Sequence, residues 1–345
     1  MKYEIYIDRE ALIKRINQEY GISIKELTFI PAGEVGYCYI ADSNDNKRYF
    51  LKYFGDSRLA RISAERLDHY LFLTWQLHNK NILPNVPYPI KNISGSFRTD
   101  FENQPLVMFN YIQGEVIGFE DPLSDIVIKE LGTIIGKLHK STPELDIQGI
   151  KAEDYGIPFE PEMLNGFKAM ESITSGDSRG KQQLRDMLLP RRDEVIGYLK
   201  RLKELQAIAR KIDKPKVLCH TDLHGGNMIR GNSGELYILD WEGAILAPLE
   251  HDLFFIAWED RFWEIFLPEY EQEFGPAKMN ADVFGFYYYR RNLEDLTDWI
   301  VRILYENTTD EQDSYDLNGI EEDCISGWPY FEFTIGKIKT RLKYH

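Results

Sequence analysis

The stretch His220-Thr221-Asp222-Leu223-His224-Gly225-Gly226-Asn227, followed across a hairpin by Ile238-Leu239-Asp240-Trp241, decides how this 345-residue chain is read. Transfer of a phosphoryl group to an alcohol needs a carboxylate that orients and deprotonates the hydroxyl, and oxygen ligands for a Mg2+ ion that bridges nucleotide phosphates. An aspartate on a loop, an asparagine five residues on and a second aspartate at a neighbouring strand end can supply all three. Asp222 is then the base, with Asn227 and Asp240 as the hard metal ligands, and Gly225-Gly226 lets the backbone turn tightly between them. A transition-metal site built on His220, Asp222 and His224 competes with this. It fits less well, because three residues at alternate positions of a loop rarely converge without a remote ligand, and none is marked. Both histidines read better as loop supports, and His69, His78, His139 and His251 as packing or surface residues. Cys219, within an apolar run, reads as a small buried hydrophobe.

Around this stretch, residues 216–241 form a strand-rich island with two short strands about the turn Gly231-Asn232-Ser233-Gly234. Far upstream, residues 8–20 have helical spacing: Asp8 suits the N-cap, Leu12, Ile13, Ile16 and Tyr20 share a face, and Gly21 suits the stop. Residues 27–30, 37–41 and 48–54 read as strands of an antiparallel meander. Lys52, between Phe50 and Phe54 on one sheet face, is either an edge residue reaching water or a cation projecting under the glycine turn that precedes Tyr37. The spacing further predicts one helix over 58–80, a hairpin from 97–101 and 106–112, and a linker at Gly114. Beyond it the pattern turns helical at 123–140, 191–212 and most of 249–345, with a loop-rich passage over 150–180.

His220-x-Asp222-x4-Asn227 and Leu239-Asp240-Trp241 resemble the catalytic and metal motifs of the aminoglycoside phosphotransferase and choline kinase-like family, small-molecule relatives of protein kinases. The likeness covers most of the chain. Tyr49-Phe50-Leu51-Lys52 resembles the strand that carries the family's ATP-phosphate lysine, and Glu65 its ion-pair partner. Leu106 to Gly114 resembles the hinge, which implies adenine contacts from the Asn110 carbonyl and the Ile112 amide, with Phe109 as gatekeeper. Leu131-Gly132 to Leu138-His139 and Pro248 to Leu253 resemble family structural segments. Together with Ile238 to Trp241 and Tyr287-Tyr288-Tyr289-Arg290, they are most similar to the spectinomycin phosphotransferase branch. The resemblance implies an α+β, two-lobed, protein kinase-like fold. Residues 1–112 would form an N-terminal antiparallel-sheet lobe that binds nucleotide, and 113–345 a mainly helical C-terminal lobe for catalysis and substrate. ATP, or GTP, and Mg2+ are the implied cofactors. The turn Ala32-Gly33-Glu34-Val35-Gly36-Tyr37 departs from a full glycine-rich loop; Gly33 and Gly36 are candidates for the phosphate cradle, or simply join two strands.

Charge narrows the acceptor. The chain carries 41 Lys+Arg against 56 Asp+Glu, a net −15 that would repel a polyphosphate, so nucleic acid is not an expected partner. Residues 249–323 hold 20 acidic and 5 basic side chains, and the whole imbalance sits there. This is either a solvated face or a field that concentrates a cationic small molecule, with Trp258, Trp263, Tyr287, Tyr288, Tyr289 and Trp299 as faces for sugar or cyclitol rings. An aminoglycoside or aminocyclitol antibiotic leads as the hydroxyl acceptor. Glu259, Asp260 and Asp295 are candidate amine contacts, although surface solvation explains them equally well. Choline, homoserine or an aminosugar meets the same demand. A catalytically silent nucleotide-binding scaffold is the reading from a different class, and the intact set Lys52, Asp222, Asn227 and Asp240 argues against it. A protein acceptor is a third possibility, but 241–248 is short beside a protein kinase activation segment. The acidic run 310–323 reads only as a surface loop. Three cysteines that cannot pair evenly, an N-terminus with acid at Glu4 and no apolar core, and no run of ~18 apolar residues predict a cytoplasmic protein without membrane contact, monomeric or dimeric.

Overall fold

Asp8 accepts a hydrogen bond from the Ala11 backbone N–H at 3.0 Å, and Gly21 turns left-handed at φ 64° with its own N–H on the Asn17 carbonyl. Helix α1 (Arg9–Tyr20) therefore starts and stops where its capping residues predict. The computed structural model describes residues 4–31, 35–118, 123–212 and 214–344. Gly33 lies outside the described residues.

Five strands follow α1 in an antiparallel sheet: β1 (Ile24–Ile30), β2 (Gly36–Ser43), β3 (Arg48–Phe54), β4 (Thr99–Phe101) and β5 (Gln104–Asn110), in the order β1-β2-β3-β5-β4. Strand alternation decides what each face does. Leu51 and Tyr53 point into a core with Leu12, Ile16 and Tyr20 of α1, Leu27, Tyr39 and Met108. Lys52, between them, takes the opposite face, in register with Cys38 on β2 and Val107 on β5.

The helices after α1 are α2 (Arg58–Ala64), α3 (Leu67–Asn79), α4 (Asp125–Lys140), α5 (Glu160–Met170), α6 (Arg179–Leu188), α7 (Arg192–Ala209), α8 (Glu250–Leu253), α9 (Leu267–Phe274), α10 (Ala281–Val301), α11 (Asp310–Gly319) and α12 (Phe331–Arg341). Short strands β6 (Gly114–Val116), β7 (Val217–Cys219), β8 (Met228–Gly231) and β9 (Leu236–Ile238) complete the elements that matter below.

Two expectations change. The single helix over 58–80 is two, because its apolar stripe does not continue: Ile62 is 40% exposed while Leu67, Leu71 and Leu77 are fully buried. Gly114 is not a linker but the first residue of β6, paired with Gly231 of β8; a Cβ there would lie 2.3 Å from the Arg230 carbonyl oxygen. The passage 150–180 is mostly outside helices, as expected, apart from α5, whose Met163, Phe167 and Met170 are buried.

The chain divides into two compact units. The first comprises Met1–Lys151, Val217–Leu246 and Trp263–Pro276, and so holds the sheet, α1 to α4, β6 to β9 and α9. Within it, α4 packs so closely on α9 that a Cβ at Gly132 would meet the Phe266 carbonyl oxygen at 2.4 Å, and one at Gly136 the Tyr270 carbonyl oxygen at 2.7 Å. Gly132→Ala is therefore expected to destabilise the protein by about 1–3 kcal/mol through overpacking, read as a lower midpoint of thermal unfolding. An unchanged midpoint would mean that this contact yields freely. His139, in the same helix, is buried with Nδ1 2.8 Å from the Tyr270 hydroxyl, a packing role.

The second unit comprises Ala152–Lys216, Ala247–Phe262 and Ala277–His345. It is built on α10, against which α5, α7 and α12 pack. Arg290 of α10 places Nη1 3.0 and 2.8 Å from the two carboxylate oxygens of buried Glu153 and Nη2 3.2 Å from His251 Nε2. The acidic run 310–323 is not a surface loop. It forms α11 and the turn after it, and Asp316, fully buried, pairs with Arg302 at 2.7 Å and accepts from the Asn307 side chain at 2.8 Å. Paired in this way the carboxylate is tolerated inside, which residue charge alone does not reveal.

Candidate active site

The loop after β7 and the turn after β9 are stitched together by backbone-directed bonds, all within the first unit. His220, fully buried and edge-on to Trp241, lies with Nε2 2.7 Å from the Leu239 carbonyl and Nδ1 3.3 Å from the Asp222 N–H. Those partners fix the neutral tautomer, with Nε2 donating and Nδ1 accepting. The Leu239 N–H donates to the Asn227 carbonyl at 2.8 Å, and the Thr221 hydroxyl donates to the Gly243 carbonyl at 3.1 Å. Trp241 Nε1 donates to the Ile238 carbonyl at 2.9 Å. Two residues in this assembly hold positive φ, Thr221 at 79° and Asp240 at 60°. For a β-branched threonine that conformation is strained, and such strain persists where surrounding bonds over-determine it.

The result ties Asp222, His224 and Asn227 together. Asn227 Nδ2 lies 2.9 Å from Asp222 Oδ2, 3.0 Å from the Asp222 carbonyl and 3.1 Å from His224 Nε2, while His224 Nε2 is 3.3 Å from Asp222 Oδ2. With its nitrogen committed in this way, the Asn227 amide offers Oδ1 to a metal. Asp240, directly after Leu239, keeps 42% of its side chain accessible. Two hard oxygens, one a carboxylate, suit Mg2+, which keeps several waters and takes few protein ligands. Closer approach of the backbone is allowed at Gly225, where a Cβ would lie 2.0 Å from the Gly118 carbonyl oxygen.

Lys52 completes the cluster from the sheet. Its Nζ is 4.0 Å from Asp240 Oδ1 and forms a tight ion pair with Glu242 Oε1, and Gly36 leaves room for its stem, since a Cβ there would meet Lys52 Cγ at 3.1 Å. Burial alone would lower the Lys52 ammonium, but Glu242, Asp240 and Cys38 outweigh it and hold it above the ordinary lysine value. Burial also pushes the Glu242 carboxyl up, against the opposing pull of Lys52.

The expected Lys52–Glu65 pair does not form. Glu65 is exposed at the C-terminal end of α2, and the carboxylate beside Lys52 is that of Glu242. Sequence reasoning passed over Glu242, although its place two residues after Asp240 carried the signal. At the expected hinge, Asn110 ends β5 and its side chain accepts from the Tyr88 N–H at 2.7 Å; Ile112 follows in the segment before β6.

The candidate amine contacts lie in the second unit, each with a cationic neighbour. Glu259 Oε2 is 2.5 Å from Arg261, Asp260 Oδ1 is 2.6 Å from Arg341 and 3.2 Å from Lys337, and Asp295 Oδ2 is 2.9 Å from Arg291. The Arg341 and Lys337 partners hold the Asp260 carboxyl below its usual range. Asp295 differs: surrounding protein pushes it up to about 7, with Arg291 opposing, while 31% of its side chain remains accessible. Glu294 is also raised by burial, with Arg290 and Arg291 opposing. Sequence reasoning passed over it, although it adjoins Asp295 in the string Arg290-Arg291-Asn292-Leu293-Glu294-Asp295.

The phosphotransferase enzyme family's sequence model matches residues 27–286. Among solved structures, a spectinomycin phosphotransferase in complex with ADP and spectinomycin has 22% identity and a TM-score of 0.72, over 91% of this chain and 93% of that one. An amicoumacin kinase in complex with AMP-PNP, Ca2+ and its substrate has 16% identity and a TM-score of 0.59, over 92% and 94%. A choline kinase from Streptococcus pneumoniae has 18% identity and a TM-score of 0.51, over 91% and 98%. At these identities the likeness establishes the fold, the two-part kinase-like arrangement of antiparallel sheet and helices. Comparison with curated protein sequences gives no match. Among the described residues no helix is long and apolar enough to cross a membrane.

Proposed function

Because the chain belongs to the phosphotransferase enzyme family, we propose that it transfers the terminal phosphate of ATP to a hydroxyl of a small cationic molecule, an aminoglycoside or aminocyclitol first among candidates. Residues 1–112 serve as the nucleotide lobe and 113–345 as the catalytic and acceptor-binding part. The observation that carries the reading lies in the first unit: Asp222 and Asn227 are hydrogen-bonded to each other, Leu239, directly before Asp240, is bonded to His220 and Asn227 of the same loop, and the Lys52 ammonium lies 4.0 Å from Asp240.

In this reading Asp222 orients the acceptor hydroxyl and accepts its proton as the new O–P bond forms and the bond to the departing ADP oxygen breaks. Asn227 Oδ1 and Asp240 hold Mg2+, which when bound neutralises phosphate charge. Lys52 supplies a point charge to the phosphates, Gly36 gives them room, and Asn110 and Ile112 hold the adenine by backbone groups. Solved structures of similar fold hold ADP with spectinomycin and AMP-PNP with Ami, which supports a nucleotide and a small-molecule acceptor together. For the acceptor, the partly accessible Asp295, beside Glu294, is the favoured carboxylate for an ammonium, ahead of exposed Asp260, whose carboxylate two cations already hold.

A panel of aminoglycosides, spectinomycin, choline and homoserine, read by coupled ADP release, tests this. ADP release above the acceptor-free rate with one amine-bearing alcohol is the expected result. No signal from any amine-bearing member would remove the cationic acceptor.

A further inference from the structure

We propose that Glu242 is the positioning residue of Lys52, holding the ammonium ready for phosphate and keeping it off Asp240; this rests on the reading of Lys52 and Asp240 given above. The argument begins with distance. The ammonium lies between two carboxylates, paired tightly with Glu242 and 4.0 Å from Asp240. A cation that closed on Asp240 would occupy the oxygens a metal needs, so its preference for Glu242 leaves Asp240 open, with 42% of that side chain accessible.

The surroundings fix Glu242 rather than Glu65 for this task. Glu242 sits in the turn Trp241–Gly243, anchored by the buried Trp241. Its side chain is 10% exposed, as against 13% for Lys52, and the Tyr70 hydroxyl of α3 reaches the same Oε1 at 3.4 Å. Glu242 Oε2 is buried, and Ser63 of α2 acts on the same carboxylate as a hydrogen-bond donor. One carboxylate oxygen thus carries the lysine and the tyrosine. The ammonium has three N–H donors and spends one on Glu242, so it can keep this bond while offering others to a phosphate oxygen. A pair shielded from water is also screened less than a surface pair, so its geometry is better defined. Glu65, exposed at the end of α2, has neither feature.

The test compares Glu242→Gln, Glu242→Asp and Glu65→Gln by direct titration of ATP, with Mg2+ and with chelator, alongside thermal unfolding and acceptor-independent hydrolysis. Glu242→Gln is expected to weaken Mg-ATP binding by about 10- to 100-fold, the size of one charge-assisted interaction. It should raise the half-saturating Mg2+ concentration in the same titration and raise KM for ATP more than it lowers kcat. Glu242→Asp should recover part of the loss, and Glu65→Gln should bind as the parent does. If Glu242→Gln, still folded, binds Mg-ATP as the parent does, or if Glu65→Gln carries the loss instead, the inference is overturned while the functional reading stands. If the parent itself binds no ATP, both fall together. A lower unfolding midpoint for Glu242→Gln with unchanged ATP and Mg2+ titrations would make the residue structural only and would also overturn it.

Discussion

Asp222→Asn is expected to lower phosphoryl transfer by about 10²–10⁴-fold, the usual contribution of a positioned base, while leaving affinity for Mg-ATP nearly intact. The substitution keeps shape and removes charge. Asn227 can still donate to the side-chain oxygen it now meets at 2.9 Å, so the loop keeps its geometry. What is lost is the proton acceptor. Steady-state turnover with the acceptor identified by the panel, set beside calorimetric titration of ATP, separates the two effects. Turnover at the parental rate would mean that the base lies elsewhere.

Asp240→Asn is expected to act on the other side of that division, weakening Mg-nucleotide binding at least about tenfold and reducing turnover largely through it. Asparagine is preferred to alanine because the position holds φ 60°, a left-handed conformation that asparagine tolerates and alanine resists. With 42% of the side chain accessible, the carboxylate contributes little to folding, so thermal unfolding should hardly move. A normal Mg-ATP titration by this variant would remove Asp240 from the metal site. The pair of variants thus distinguishes a base defect, visible only in turnover, from a metal defect, visible in binding.

The fold was legible where local rules and tertiary packing agree. Asp8 and Gly21 cap α1 because an N-cap side chain and a left-handed glycine act over a few residues. Strand alternation from Arg48 to Phe54 placed Lys52 opposite the core because a pleat permits no other result. Two of the errors depended on contacts outside the segment being read. Gly114 looked like a linker because a glycine's close approach to a distant carbonyl leaves no trace in its neighbours. Asp316 looked solvated, like its exposed acidic neighbours, because its partners Arg302 and Asn307 lie outside the run.

The site shows the same division. Asp222, Asn227 and Asp240 stood out because their spacing is itself the chemistry, and the His220 loop support followed from residue type. The lysine's partner did not, since nothing in the local spacing tells a carboxylate on the next helix from one 190 positions on; the structure brings the latter to Lys52 and leaves Glu65 in solvent. Carboxylates at 259, 260 and 295 were chosen by sign alone, and only coordinates show that Arg261, Arg341, Lys337 and Arg291 already attend them.

The most direct test follows the γ-phosphate itself: incubate the protein with γ-labelled ATP, Mg2+ and the acceptor chosen by the panel, and ask by mass spectrometry where the label goes. The account predicts one labelled phosphoryl group on an acceptor hydroxyl with the parent protein and almost none with Asp222→Asn. Tight ATP binding with no label on any acceptor, at any Mg2+ concentration, would contradict it and leave a nucleotide-binding scaffold in its place.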